Sequence, residues 1–142
     1  MTAKTSSRVS LGRLLVFGFI AGVLAAVANA FVYLLASALG AMPDSVLVQG
    51  GDTITLFPVV ISSFVPALVA AVLLVILGRF TRRPVGIFQT VAVVLLVLSL
   101  ITPFTIPGAP AGMIATLLIM HVVAAASIIW VLTILAPQQA LE

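Results

Sequence analysis

The 142-residue chain is 63% hydrophobic and only 6% charged, so it has too little polar surface to cover a water-soluble fold, where roughly a quarter of residues are charged. It contains no cysteine, which excludes disulfides, thiol redox chemistry, iron–sulfur clusters and thiolate zinc sites. The net charge of +3 comes from six basic residues in two small groups, a pattern that fits membrane orientation and argues against nucleic acid as a partner.

Four apolar runs, at about 14–39, 55–77, 85–106 and 112–136, are each long enough for the ~20 helical residues that cross a bilayer. Gly, Pro and charge fall in the breaks between them, at 40–54, 78–84 and 107–110. The expected fold is an all-α integral membrane protein, a single four-helix transmembrane bundle spanning residues 1–142.

The first run is preceded by Lys4, Arg8 and Arg13. Within it, Gly18, Gly22, Ala25, Asn29 and Tyr33 recur at spacings of three and four, a stripe of small residues ending in polar groups that predicts a packed face. The tripeptide Ala28-Asn29-Ala30 imitates the cleavage site of a secretory signal, but the apolar run continues through Phe31 to Leu35, which favours an uncleaved helix. In the loop 40–54, two short β-prone arms flank Gly50–Gly51 and predict a short β-hairpin over the bundle's mouth, with an irregular connector as the alternative.

In the second run, Pro66 cannot donate to the carbonyl of Ser62, and in the third, Pro103 cannot donate to that of Ser99. Between these runs lie Arg79, Arg82 and Arg83, while the other two breaks hold no Lys or Arg. The positive-inside rule then places both termini in the cytoplasm, with Asp44 and Asp52 outside. The arginine cluster reads first as this topology signal, and second as a contact for anionic lipid or a protein partner. On the third helix Phe88, Ala92, Leu95, Ser99 and Thr102 share a face. On the fourth, Leu117, His121, Ala124, Ala125 and Ile128 share one.

With 1.5 Å of rise per residue, Asn29, Ser62, Ser99 and His121 come out about 8 to 14 Å below the outer edge of the hydrocarbon core. One polar side chain per helix at one depth predicts a hydrogen-bonded layer, with the freed carbonyls of Ser62 and Ser99 among its acceptors. His121 reads as a hydrogen-bonded packing residue or, in the functional alternative, as a proton acceptor or ligand contact. Nothing in the chain completes a metal or haem site around it, and no cofactor is expected.

The segments "RLLVFGFIAGVLAAVANAFVYLLA", "GRFTRRPVGIFQTVAVVLLVLSLITP" and "LIMHVVAAASI" carry Asn29, Arg79, Arg83–Pro84, Phe88, Ser99, Pro103 and Met120–His121. In these features the chain resembles a family of small four-helix bacterial membrane proteins classed as a domain of unknown function. The resemblance implies a multi-pass protein of the bacterial plasma (inner) membrane and directs attention to Asn29, Ser99 and His121. It implies no activity.

An enzyme is disfavoured, because the chain lacks a carboxylate pair, an intramembrane Ser/His/Asp set, a metal quartet and a phosphate-cradling loop. Two classes of function are expected instead. One is a small binding or accessory protein that holds a lipid-like molecule in an outward-opening cavity or docks on a larger membrane complex, with membrane lipids, another membrane protein or a second copy of itself as partners. The other is a minimal transporter or proton-linked channel using His121, weakened by the nearly pure hydrocarbon of the cytoplasmic half of the helices.

The one-sided placement of the basic residues generates a topology test. In intact cells Asp44→Cys and Asp52→Cys should react with an impermeant thiol reagent added outside, whereas Arg82→Cys should not. External labelling at position 82 would overturn the arrangement with both termini inside.

Overall fold

The computed structural model describes residues 11–48 and 51–135, built from four long helices: α1, Leu11–Ala38; α2, Leu56–Phe80; α3, Pro84–Ser99; and α4, Ala111–Trp130. A 3₁₀ turn, Thr102–Thr105, follows α3, and a π turn, Val131–Leu135, closes α4. Counting the turns, all four segments are long and apolar enough to cross a membrane. Successive helices run in opposite directions, so the bundle has a basic end, with Arg13 and the 79–83 turn, and an acidic end, with Asp44 and Asp52.

Local chemistry sets the helix boundaries. At the end of α1, Gly40 adopts φ +73°, its N–H donates to the Ser37 carbonyl (3.0 Å), and the Ala41 N–H donates to that of Ala36 (2.8 Å). This pair of bonds is a Schellman cap, and its left-handed residue suits glycine. Between α2 and α3, Thr81 closes the last turn of α2 through both its N–H and its hydroxyl, each bonded to the Leu77 carbonyl. Pro84 then opens α3 at a position where its missing N–H costs nothing. The third helix is expected to run to 106, yet its α-ladder stops at Ser99. Pro103 has no N–H to offer the Ser99 carbonyl, so the chain tightens into the 3₁₀ turn.

α1 is the central helix, packing most extensively on α2 and then on α4. Its stripe of Gly18, Gly22, Ala25 and Asn29 is buried as expected, with Tyr33 half-buried at the end. A Cβ on Gly18 would collide with the Ala71 Cβ, and one on Gly22 would lie 2.7 Å from Phe64 Cδ2. Phe64 in turn meets Phe19 edge-on, with centroids 5.4 Å apart. Toward the basic end, Leu14, Phe17 and Ala21 of α1 meet Ala67, Ala71 and Leu74 of α2, Phe88 of α3, and Ile128, Val131 and Leu132.

At the acidic end the loop folds over the helices, burying Met42 and Val46 against Ala36 and Met113. The Tyr33 hydroxyl donates to the Ile54 carbonyl (3.1 Å) and ties the loop's return strand of chain to α1. Leu47 and Thr53 form one antiparallel bridge, supported by Val48 N–H to the Asp52 carbonyl (2.9 Å). No strand is formed among the described residues, and the turn expected at Gly50 lies outside them.

α3 departs from this pattern. Only 6% of its most apolar window is buried, against 39% for α1. It leans on α2 and α4 through Phe88, with Ala92 half-buried beside it, and Pro103 is buried just beyond its end. The face expected to pack does so at Phe88 and Ala92 and in part at Ser99, whereas Leu95 and Thr102 are exposed.

The close approach of α1 to α2 sets a steric test. Gly18→Ala forces the two helices apart and should cost about 1–3 kcal/mol of stability, measured by reversible unfolding in detergent or bicelles. Gly12→Ala, with open space at the same end of α1, should be neutral or slightly stabilising. Equal stability of the two variants would place the glycine stripe against lipid.

Candidate functional site

The Asn29 amide and the Ser63 hydroxyl belong to the most deeply buried polar residues described. The small residues before Asn29 let α1 approach its neighbours closely, and the Asn29 side chain is only 3% exposed. Its Nδ2 donates to Ser63 Oγ on α2 (2.9 Å) and to the Met120 carbonyl on α4 (3.0 Å), so one amide nitrogen ties three helices together. Ser63 passes its own proton to the Val59 carbonyl (2.7 Å). Both neighbours therefore act as acceptors, which fixes the nitrogen, rather than the oxygen, toward them. Asn29 Oδ1 is buried and has no hydrogen-bond partner.

The other three residues expected at this depth are not in the node. Ser62 is exposed, and its hydroxyl turns back to the Val59 carbonyl of its own helix (3.2 Å). One residue is a 100° turn in a helix, and it is Ser63 that faces Asn29. Ser99 is half-buried and donates to the Leu96 carbonyl (2.7 Å). His121 is half-buried, with Nδ1 2.7 Å from the Leu117 carbonyl in the preceding turn. Since a carbonyl only accepts, that bond places the proton on Nδ1 and leaves Nε2 as the ring's other contact atom.

The expected four-residue layer is thus corrected to a node of Asn29, Ser63 and the Met120 backbone, and none of Asn29, Ser62, Ser99 and His121 bonds to another of them. No described side chain donates to the carbonyls opposite Pro66 and Pro103. The inward line of α4 is Met113, Thr116 and Met120, and His121 sits on its flank.

The signal for Ser63 was present in the sequence. Val59, Ser63, Ala67 and Ala71 recur every four residues and form the buried line of α2, the counterpart of the stripe on α1. A second polar contact went unforeseen: Gln89 Nε2 donates to Thr133 Oγ1 across 3.4 Å, linking α3 to the π turn, while Thr133 itself bonds to the Ile129 carbonyl (2.7 Å). At the basic end Arg79, Arg82 and Arg83 are exposed.

The node can hold helices together, but it has no nucleophile paired with a base and no carboxylate. Among the described residues no group of three or more His, Cys, Asp or Glu side chains is placed to hold a metal ion. Residues 9–138 match the family described as "Family of unknown function (DUF6069)", and the chain belongs to it. No curated protein and no solved structure matches the chain.

The geometry separates the roles of Asn29 and His121. In a double-mutant cycle, Asn29→Ala and Ser63→Ala should show a favourable coupling of about 0.6 kcal/mol, with ~1.7 kcal/mol as the upper range for hydrogen bonds between membrane helices. His121→Leu removes a bond made within one helix turn and should shift the unfolding midpoint less than Asn29→Ala does. Additive effects of the first pair, or a larger loss at His121, would displace Asn29 from the centre of the packing.

Proposed function

We propose that this chain is a membrane accessory protein of the bacterial plasma membrane, both termini cytoplasmic, that acts by lateral association within the bilayer and presents α3 to a second, larger membrane protein. The observation that carries the reading is the lack of packing around α3. Val93, Val94, Val97, Leu98, Ile101 and Phe104 are all exposed, on a segment anchored to the bundle at Phe88 and Pro103. The other three helices bury a larger share of their most apolar windows, 28% to 39% against 6%, with α1 packed between α2 and α4.

Two features weigh against the other functions the sequence allows. An outward-opening cavity for a lipid-like molecule is disfavoured by the loop, whose Met42 and Val46 pack down over α1 and α4, and by the close packing around Asn29. A proton-linked channel through His121 is disfavoured because the ring bonds to its own backbone. From Asn29 to the basic end, moreover, the core is lined by Ala21, Ala67, Ala71 and Leu74, all buried.

The reading is tested by site-specific photo-crosslinking in native membranes. A crosslinker at Val94 or Leu98 should give one discrete protein adduct of the same mass, absent when the crosslinker is at Val23 on the exposed face of α1, and lost on Val97→Trp. Lipid adducts alone from α3, or the same adduct from α1, would overturn it. In liposomes the purified protein should add no proton flux over empty vesicles, and a flux abolished by His121→Gln would favour the channel instead.

A further inference from the structure

Three positive charges lie within five residues at the basic end, and among the described residues the side chains of Arg79, Arg82 and Arg83 have no hydrogen-bond or ion-pair partner. The described acids, Asp44 and Asp52, sit on the loop at the other end of α2, whose 25 residues span ~37 Å. That is several Debye lengths at physiological salt, roughly 8 Å each, so neither described acid neutralises the cluster.

A shallow groove, open along most of its boundary, begins at Arg83 and continues along α3 past Gly86, Ile87, Thr90 and Val91. At 100° per residue these positions centre roughly 130° around α3 from Phe88, the side chain that anchors the helix to the bundle, with half-buried Val91 at the edge nearest it. The groove therefore faces the bilayer. Gly86 gives it depth, since the place of a Cβ there is open space. Thr90 spends its hydroxyl proton on the Gly86 carbonyl (3.1 Å). Beyond Arg83 the groove thus offers mainly hydrocarbon.

A cation at one end of an apolar trough selects for a molecule with an anion at one end and hydrocarbon at the other. A soluble anion has no use for the trough, and a lipid without net charge has no use for three arginines that no described acid pairs with. We propose that the 79–83 turn and this groove of α3 form a seat for one anionic phospholipid. Arg83 holds the phosphate, Arg79 and Arg82 supply additional attraction, and an acyl chain lies along Gly86, Ile87, Thr90 and Val91. The seat occupies the first turns of α3, before the exposed Val93–Phe104 stretch, and does not rest on the lateral-association reading.

Binding is measured on the full chain by native mass spectrometry, titrating phosphatidylglycerol, phosphatidylcholine or inorganic phosphate. One phosphatidylglycerol should be retained in preference to phosphatidylcholine, and excess inorganic phosphate should not displace it. Arg83→Gln should weaken its retention about fivefold, the effect expected of one basic residue at an anionic membrane surface. Gly86→Leu, whose Cβ would meet nothing within 4 Å and which leaves every charge in place, should weaken it at least as much by filling the trough, while Gly12→Leu at the same end of the bundle should leave it unchanged. Full retention by Gly86→Leu, equal retention of the two lipids, or displacement by phosphate would each overturn the seat.

Discussion

Helices in a bilayer are not pressed together by water, because lipid tails are as apolar as leucine. What holds them must be close packing and the few polar groups that find partners inside the protein. In this chain both requirements meet on one face of α1. Gly18 and Gly22 bring α2 near enough for Asn29 to reach Ser63, and the same amide nitrogen reaches the Met120 carbonyl of α4. The Asn29 contact is also directional. Sliding either neighbour by one residue would carry its acceptor away from Nδ2, so the node fixes the register of three helices at once.

The two ends of the bundle are finished differently. At the acidic end the Schellman cap at Gly40 turns the chain back over α1, and the loop that follows is long enough to seat Met42 and Val46 on the helices. At the basic end the connection between α2 and α3 is three residues, and it leaves its arginines in the open. A covered end and a charged end give the bundle a polarity along its axis.

Much of this was legible in the sequence, because hydropathy and spacing report directly on what lipid requires. The four runs, the breaks at Gly, Pro and Arg, and the buried glycine stripe leading to Asn29 follow from composition and a 3.6-residue period. What was less legible is rotation. Ser62 and Ser63 are adjacent and chemically identical, so depth alone cannot choose between them, whereas the four-residue recurrence of Val59, Ser63, Ala67 and Ala71 does. His121 is the lone histidine, set in an apolar run, but a ring can satisfy one nitrogen on its own preceding turn, so depth does not imply a partner on another helix. The apolar run continues past Pro103 without a break, so hydropathy alone places the proline within a helix, whereas its missing N–H ends the α-ladder. The π turn and the Gln89–Thr133 contact depend on how helix ends meet, which no local pattern encodes.

The thin packing of α3 has a meaning for the path of the chain. After α2 the polypeptide stands at the basic end, yet α4 must start at the acidic end for Met120 to run past Asn29 in the observed direction. A crossing is needed between them. In a soluble protein an extended connector of roughly nine residues would cover the ~30 Å, but in hydrocarbon every backbone N–H and C=O must be satisfied within the segment, so the connector itself has to be a helix. α3 is that return passage. Routing demands its length and its apolarity, while the interior of the bundle demands little beyond Phe88 and Pro103, leaving most of its side chains answerable only to what lies outside the bundle.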